Sequence, residues 1–136
     1  MLIQDVFAAY KNDLRQVEKC INDNATSEIT LIPEVSHHLI DSGGKRFRPL
    51  LLLISSALCG CRHENRFPMA AVMEFIHTAT LLHDDVIDQA TMRRGKTSAN
   101  IIWGNAASVL VGDFLYSRPL CPKAKYFSSS NAVMST

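Results

Sequence analysis

The stretch Glu74–Asp88, EFIHTATLLHDDVID, decides the fold. Its apolar residues recur at threes and fours, the spacing of one helix face. At about 100° per residue, Asp84 and Asp88 share a side of that helix. His77, seven residues before Asp84, lies on the same side two turns earlier, and Asp85 points roughly a quarter turn away. Upstream, Pro68 suits the first turn of a helix running to Asp88. Leu2, Ile3, Val6, Phe7, Tyr10, Leu14, Val17 and Ile21 mark a first helix, broken by Asn22-Asp23-Asn24. A second runs from about Ile29 or Ile32 to Asp41 and ends at Gly43-Gly44. A third spans Leu50 to about Leu58 behind Pro49. Downstream, Gln89 to about Ile102 reads as a polar loop and Asn105–Arg118 as a fifth helix. No alternating strand and no Asn-Gly hairpin are visible, so the expected fold class is all-α.

Composition narrows the field. The chain has 136 residues, 47% hydrophobic and 20% charged, with a net charge of +1. That length allows one domain and a real core. The charge balance argues against a strongly basic nucleic-acid binder. The longest strongly apolar run, Leu50–Ile54, is far shorter than the ~20 residues of a membrane span, and the N-terminus lacks the pattern of a signal peptide. Cys20, Cys59, Cys61 and Cys121 form no zinc spacing. Cys59 and Cys61 sit in an apolar context and are expected to be buried thiols in a reducing, cytoplasmic setting.

Two facing carboxylates suit a hard cation such as Mg²⁺, which takes oxygen ligands and bridges to phosphate oxygens. The plain alternative is a solvated acidic helix end. Against it, three carboxylates at the negative pole of a helix repel one another and cost stability unless a cation is bound. Two cationic clusters flank the site: Gly44-Lys45-Arg46-Phe47-Arg48-Pro49 before a helix start, and Arg93-Arg94-Gly95-Lys96 after the carboxylates. The first combines a helix N-terminus with Lys45 and Arg48, a setting that favours an anion. Either cluster alone also reads as surface charge. Neither carries interleaved aromatics for base stacking. A metal for one diphosphate and arginines for a second describe one site.

Four motifs in order, GGKRFRP at Gly43–Pro49, EFIHTATLLHDDVID at Glu74–Asp88, MRRG at Met92–Gly95 and GNAASVLVGDFLYSR at Gly104–Arg118, resemble an all-trans polyprenyl diphosphate synthase of the octaprenyl type. The resemblance covers about residues 1–118. It implies the N-terminal helices of the isoprenoid synthase fold, usually a homodimer, and head-to-tail condensation of isopentenyl diphosphate with an allylic diphosphate, as in quinone side-chain biosynthesis. It implies that Asp84 and Asp88 bind Mg²⁺ on the allylic diphosphate with Asp85 in support, and that Arg93 contacts that diphosphate. It also implies that Lys45, Arg48, His77 and Arg94 hold isopentenyl diphosphate. Charge growing on the departing diphosphate is neutralised, an allylic cation forms, the alkene attacks and a proton is lost. No protein nucleophile is needed. In such enzymes a bulky aromatic five or four residues before the first Asp stops chain growth; here Ala79 and Thr80 leave the path open and favour a long product, although Ala79 suits ordinary helix packing equally well.

Residues 119–136 depart from the family pattern. Pro119 stops the fifth helix, Asp113 is the last acidic residue, and no second aspartate-rich motif follows. The expectation is a truncated helical fold over 1–118 with a foreign-looking tail, apolar faces left uncovered, and little or no synthase activity for this chain. One rival is a non-catalytic subunit associating with a full-length synthase. A second is an HD-type metal phosphohydrolase built on His83-Asp84, with His37, His38 or His63 as further ligands. A third is a helical domain without a site.

Overall fold

The computed structural model describes residues 2–41 and 45–118. The expected glycine stop at Gly43-Gly44 and the tail from Pro119, Cys121 included, lie outside them. Within them run α1 (Ile3–Ala9), α2 (Lys11–Asn24), α3 (Leu31–Ile40), α4 (Phe47–Leu58), α5 (Arg66–Ile87), β1 (Met92–Arg93), β2 (Lys96–Thr97), α6 (Ala99–Trp103) and α7 (Asn105–Ser117). The all-α class holds, with one small hairpin added.

Helix α5 is the axis. It is 22 residues long, and α2, α4 and α7 pack along it. Val17 and Ile21 of α2, Val35 of α3, Leu53 of α4, Phe75 and Leu82 of α5, and Val111 and Leu115 of α7 close one core and are almost fully buried. Pro33, Pro49 and Pro68 each occupy the third position of a helix. There the missing N–H is one that a helix leaves unpaired anyway. The prolines therefore mark three starts, with α4 and α5 beginning two or three residues earlier than the sequence suggested.

Four details differ from the sequence reading. The first helix is two: α1 buries no residue, α2 buries Val17 and Ile21, and Tyr10 at the join leaves helical geometry with its ring against the core. Asn22-Asp23-Asn24 does not break α2. The three residues form its last turn, Asn24 Nδ2 donates to the Cys20 carbonyl at 2.7 Å, and the helix ends at Asn24. Cys59 and Cys61 are exposed, not buried. Helix α4 ends at Leu58, itself 83% exposed, and the chain leaves the core through the left-handed Gly60.

The fourth difference is the polar loop, which holds a hairpin and α6. Arg94 (φ 50°) and Gly95 (φ 78°) form the two-residue turn, the doubly left-handed type whose twist matches paired strands. Met92 faces Thr97 and Arg93 faces Lys96. Ser98 Oγ and Asn100 Nδ2 both donate to the Ala90 carbonyl, at 2.6 and 3.0 Å, and a His38 ring nitrogen lies 2.9 Å from the Thr97 carbonyl. Strands of two residues are too short to show alternation.

Candidate functional site

Helix α5 has an inward and an open face, and its acids divide between them. Glu74, Thr78, Leu82 and Asp85 point inward and are buried. Met73, Thr80, Asp84, Ile87 and Asp88 are exposed, with His77 among them half-buried. They follow one another at threes and fours, so they form a single stripe. Asp84 and Asp88 stand one turn apart on it, and neither makes an ion pair among the described residues.

A buried carboxylate needs a partner to offset its lost hydration, and each inward acid of α5 recruits one arginine. Asp85, 1% exposed, takes Arg93 from β1. Arg93 Nε donates to Oδ1 and Oδ2 at 3.0 and 2.8 Å, and a terminal nitrogen to Oδ1 at 2.6 Å. This fork on carboxylate is the strong, orientation-fixing form of ion pair. The hydrogen bond to Asp85 raises the Arg93 pKa, opposed by burial and reinforced by the charges of Asp85, Asp84 and Asp88. Glu74 takes Arg46 from the turn before α4, at 3.5 Å. Arg46 also pairs with Glu18 of α2 and donates from both terminal nitrogens to the Ile40 carbonyl at 3.2 Å.

Each basic cluster is thereby split. Arg46 and Arg93 turn inward to acids; Lys45, Arg48 and Arg94 are exposed. Arg48, Arg94 and Arg93 all act on His77. Burial first, then the charges of these three arginines in that order, hold its imidazole below the usual histidine range. Its Nε2 is buried and has no hydrogen-bond partner among the described residues. The charges of Arg48, Arg94 and Arg93 thus act on His77, and Arg93, bonded to Asp85, also feels the charges of Asp84 and Asp88. Ala79 is separate: it is 1% exposed in the core, whereas Thr80 is exposed and its hydroxyl donates to the His77 carbonyl at 2.7 Å.

Sequence reasoning missed Arg46, Glu18 and Glu74. The signal was present for Glu74, which shares a face with Leu82 and Thr78, where an acid has to find a cation. His83 does not turn toward Asp84 and Asp88. A ring nitrogen lies 3.2 Å from the Val109 carbonyl and 3.4 Å from Asp113 on α7, and the ring fills the space that a side chain at Gly112 would need. Among the described residues no group of three His, Cys, Asp or Glu converges as a metal site. The HD-type constellation therefore does not assemble.

The donor set fits a divalent cation of the hard, oxygen-binding kind at Asp84 and Asp88: two exposed carboxylates on one stripe, with the third engaged by arginine. Two ligands leave the remaining positions to water or to phosphate oxygens.

The described residues thus form a helical domain with a long central helix, paired carboxylates on its open face and arginines beside it. Residues 29–135 match the Polyprenyl synthetase family model, and the chain belongs to that family. The matched range extends past Arg118, where the motif resemblance ended. The chain is 46% identical over 106 residues to octaprenyl diphosphate synthase of Escherichia coli, covering 78% of this chain and 33% of that protein. It is 42% identical over 118 residues to a geranyl-diphosphate-specific all-trans-nonaprenyl-diphosphate synthase of Rhodobacter capsulatus, covering 85% and 36%. A crystal structure of a polyprenyl synthase from Caulobacter crescentus, complexed with calcium and isoprenyl diphosphate, superposes with a TM-score of 0.87 at 43% identity over 91% of this chain and 38% of that one. The chain spans about a third of the length of the curated relatives it matches. No helix among the described residues is long and apolar enough to cross a membrane.

Proposed function

We propose that this chain carries the diphosphate-binding part of an all-trans polyprenyl diphosphate synthase, which joins isopentenyl diphosphate head to tail to an allylic diphosphate. The observation that carries the reading is the open stripe of α5, with Asp84 and Asp88 at one end, His77 two turns earlier, and the charges of Arg48, Arg94 and Arg93 acting on His77. Asp84 and Asp88 would hold Mg²⁺. When bound there it supplies positive charge to the allylic diphosphate as its bond to carbon breaks. Arg93, oriented by Asp85, adds a fixed cation that needs no rearrangement as that charge develops. Lys45, Arg48, Arg94 and His77 hold isopentenyl diphosphate.

The stripe also supports a reading of product length. Thr80 is exposed between His77 and Asp84, where a growing prenyl tail would pass along α5, and its small side chain leaves room for a long product. Ala79 contributes through packing against the core. The further partners we propose are a second copy of the chain or a full-length synthase, in the cytoplasm.

Calorimetric titration of the chain with isopentenyl diphosphate and with an allylic diphosphate, with and without Mg²⁺, tests this. Expected are binding of both and a Mg²⁺ requirement for the allylic diphosphate that Asp84→Asn and Asp88→Asn remove. No diphosphate binding under any condition sinks the proposal. The 136-residue chain by itself is expected to form little polyprenyl product.

A further inference from the structure

Arg46 lies in the same basic run as Lys45 and Arg48, yet its guanidinium faces the other way. It reaches three helices at once: Glu18 on α2, the Ile40 carbonyl at the end of α3, and Glu74 on α5. Its backbone is left-handed, with φ 52°. A non-glycine residue holds that conformation only at an energetic cost, and only where its surroundings fix it. The turn sends side chain 46 inward while its neighbours Lys45 and Arg48 remain exposed. Glu74 stands one helical turn before His77. Anchoring Arg46 on Glu74 therefore fixes the start of α4 beside the turn of α5 that carries His77, and Arg48 is two residues from the anchor.

We propose that Arg46 is a positioning residue: clamped between Glu18 and Glu74, it holds Arg48 against His77 and so assembles the anion-binding end of the stripe. The inference rests on the diphosphate reading of that site and adds a residue which touches no substrate. Lysine cannot replace it. One ammonium cannot reach two carboxylates on different helices and a carbonyl with the planar fork that arginine presents. Glu74 Oε2 has no hydrogen-bond partner among the described residues, so arginine is the cation that keeps this acid tolerable inside the fold.

The test is a double-variant cycle read at His77. The charges that act on His77 are those of Arg48, Arg94 and Arg93. Nuclear magnetic resonance follows the His77 ring through a pH titration in the full chain, for wild type, Arg46→Lys, Arg48→Gln and the double variant. Releasing Arg48 removes a cation, so the His77 titration midpoint rises in Arg46→Lys and in Arg48→Gln. If Arg46 acts through Arg48, the double variant rises no further than Arg48→Gln alone. Additive rises, or an unmoved midpoint in Arg46→Lys, overturn the proposal. Far-ultraviolet circular dichroism checks that each variant is folded. Where Arg46→Lys fails to fold, Glu74→Gln replaces it, because it loosens the same clamp while keeping volume and an acceptor. Inorganic pyrophosphate, titrated calorimetrically, is expected to bind about tenfold more weakly to the clamp variant, the usual scale for loss of a residue that orients a ligand. If the cycle holds but wild type binds no pyrophosphate, the positioning role stands and the diphosphate reading fails. If pyrophosphate binds wild type and variant alike, the reverse is true.

Discussion

Replacing Asp85 with asparagine separates the roles of three adjacent-looking acids. The change keeps shape and removes charge from a carboxylate that is 1% exposed and takes three close contacts from Arg93, the shortest 2.6 Å. Breaking a fully buried pair by removing one partner costs roughly 3–5 kcal/mol, because a charge is left stranded. Arg93 is 26% exposed, however, and can turn its guanidinium to water. The cost then falls toward that of hydrogen bonds to a charged group, roughly 1.5–3 kcal/mol. Asparagine can accept one bond through its carbonyl oxygen, but its amide N–H groups meet the guanidinium's own donors. We expect a loss of about 2 kcal/mol. Asp84→Asn and Asp88→Asn should behave oppositely. Both sites are exposed near the negative pole of α5, where removing negative charge is neutral or slightly favourable, within about 0.5 kcal/mol. Urea unfolding followed by far-ultraviolet circular dichroism measures all three, and an unchanged slope with denaturant confirms that only stability moved. Diphosphate titration then reads the other axis. The Asp84 and Asp88 variants lose the Mg²⁺-dependent binding while stable, and Asp85→Asn weakens it while destabilised. The reasoning fails if the three variants cost the same stability, or if Asp85→Asn costs less than about 0.5 kcal/mol, a change typical of an exposed site.

Four further outcomes follow from the same geometry. Ala79→Phe forces an aromatic ring into the closed core and should cost roughly 1–3 kcal/mol or more, whereas Thr80→Phe on the open stripe should leave the urea midpoint almost unchanged; equal costs would contradict the assignment of faces. His77 is held below the ordinary histidine pKa of about 6.5, so the unfolded chain binds the extra proton first. Stability should therefore fall as pH drops below that value and through the folded one, and His77→Gln should flatten this acid limb. A bound diphosphate reverses that field and raises the His77 pKa, so binding near neutral pH should take up a proton, visible as a dependence of the calorimetric heat on buffer ionisation enthalpy. Cys59 and Cys61 are exposed, while burial pushes the partly buried Cys20 thiol up. Peptide mapping after brief maleimide treatment should therefore show 59 and 61 labelled ahead of 20.

The linear sequence determined the helical class, the long axis through EFIHTATLLHDDVID, and the sharing of one side by His77, Asp84 and Asp88. These follow from a period of 3.6 residues, which is local and needs no knowledge of what packs where. It also contained the family motifs, because motif spacing is itself a one-dimensional property. It concealed the break at Tyr10, where the apolar stripe continues although the helix does not. It also concealed the hairpin at Arg94-Gly95, whose strands are too short to show a period.

Only the tertiary structure decided which charges are free to meet a ligand. GGKRFRP and MRRG read as two uniform basic runs, yet Arg46 is spent on Glu18 and Glu74 and Arg93 is held in one orientation by Asp85, while Lys45, Arg48 and Arg94 stay exposed. The same division separates Asp85 from Asp84 and Asp88, and Ala79 from Thr80. The physical reason is desolvation. Whether an acid lies inside depends on the helices that pack over it, and once inside it must draw in a cation from wherever in the chain one can reach. Those partners lie 28 residues apart for Glu18 and Arg46 and eight for Asp85 and Arg93, separations that no local period encodes.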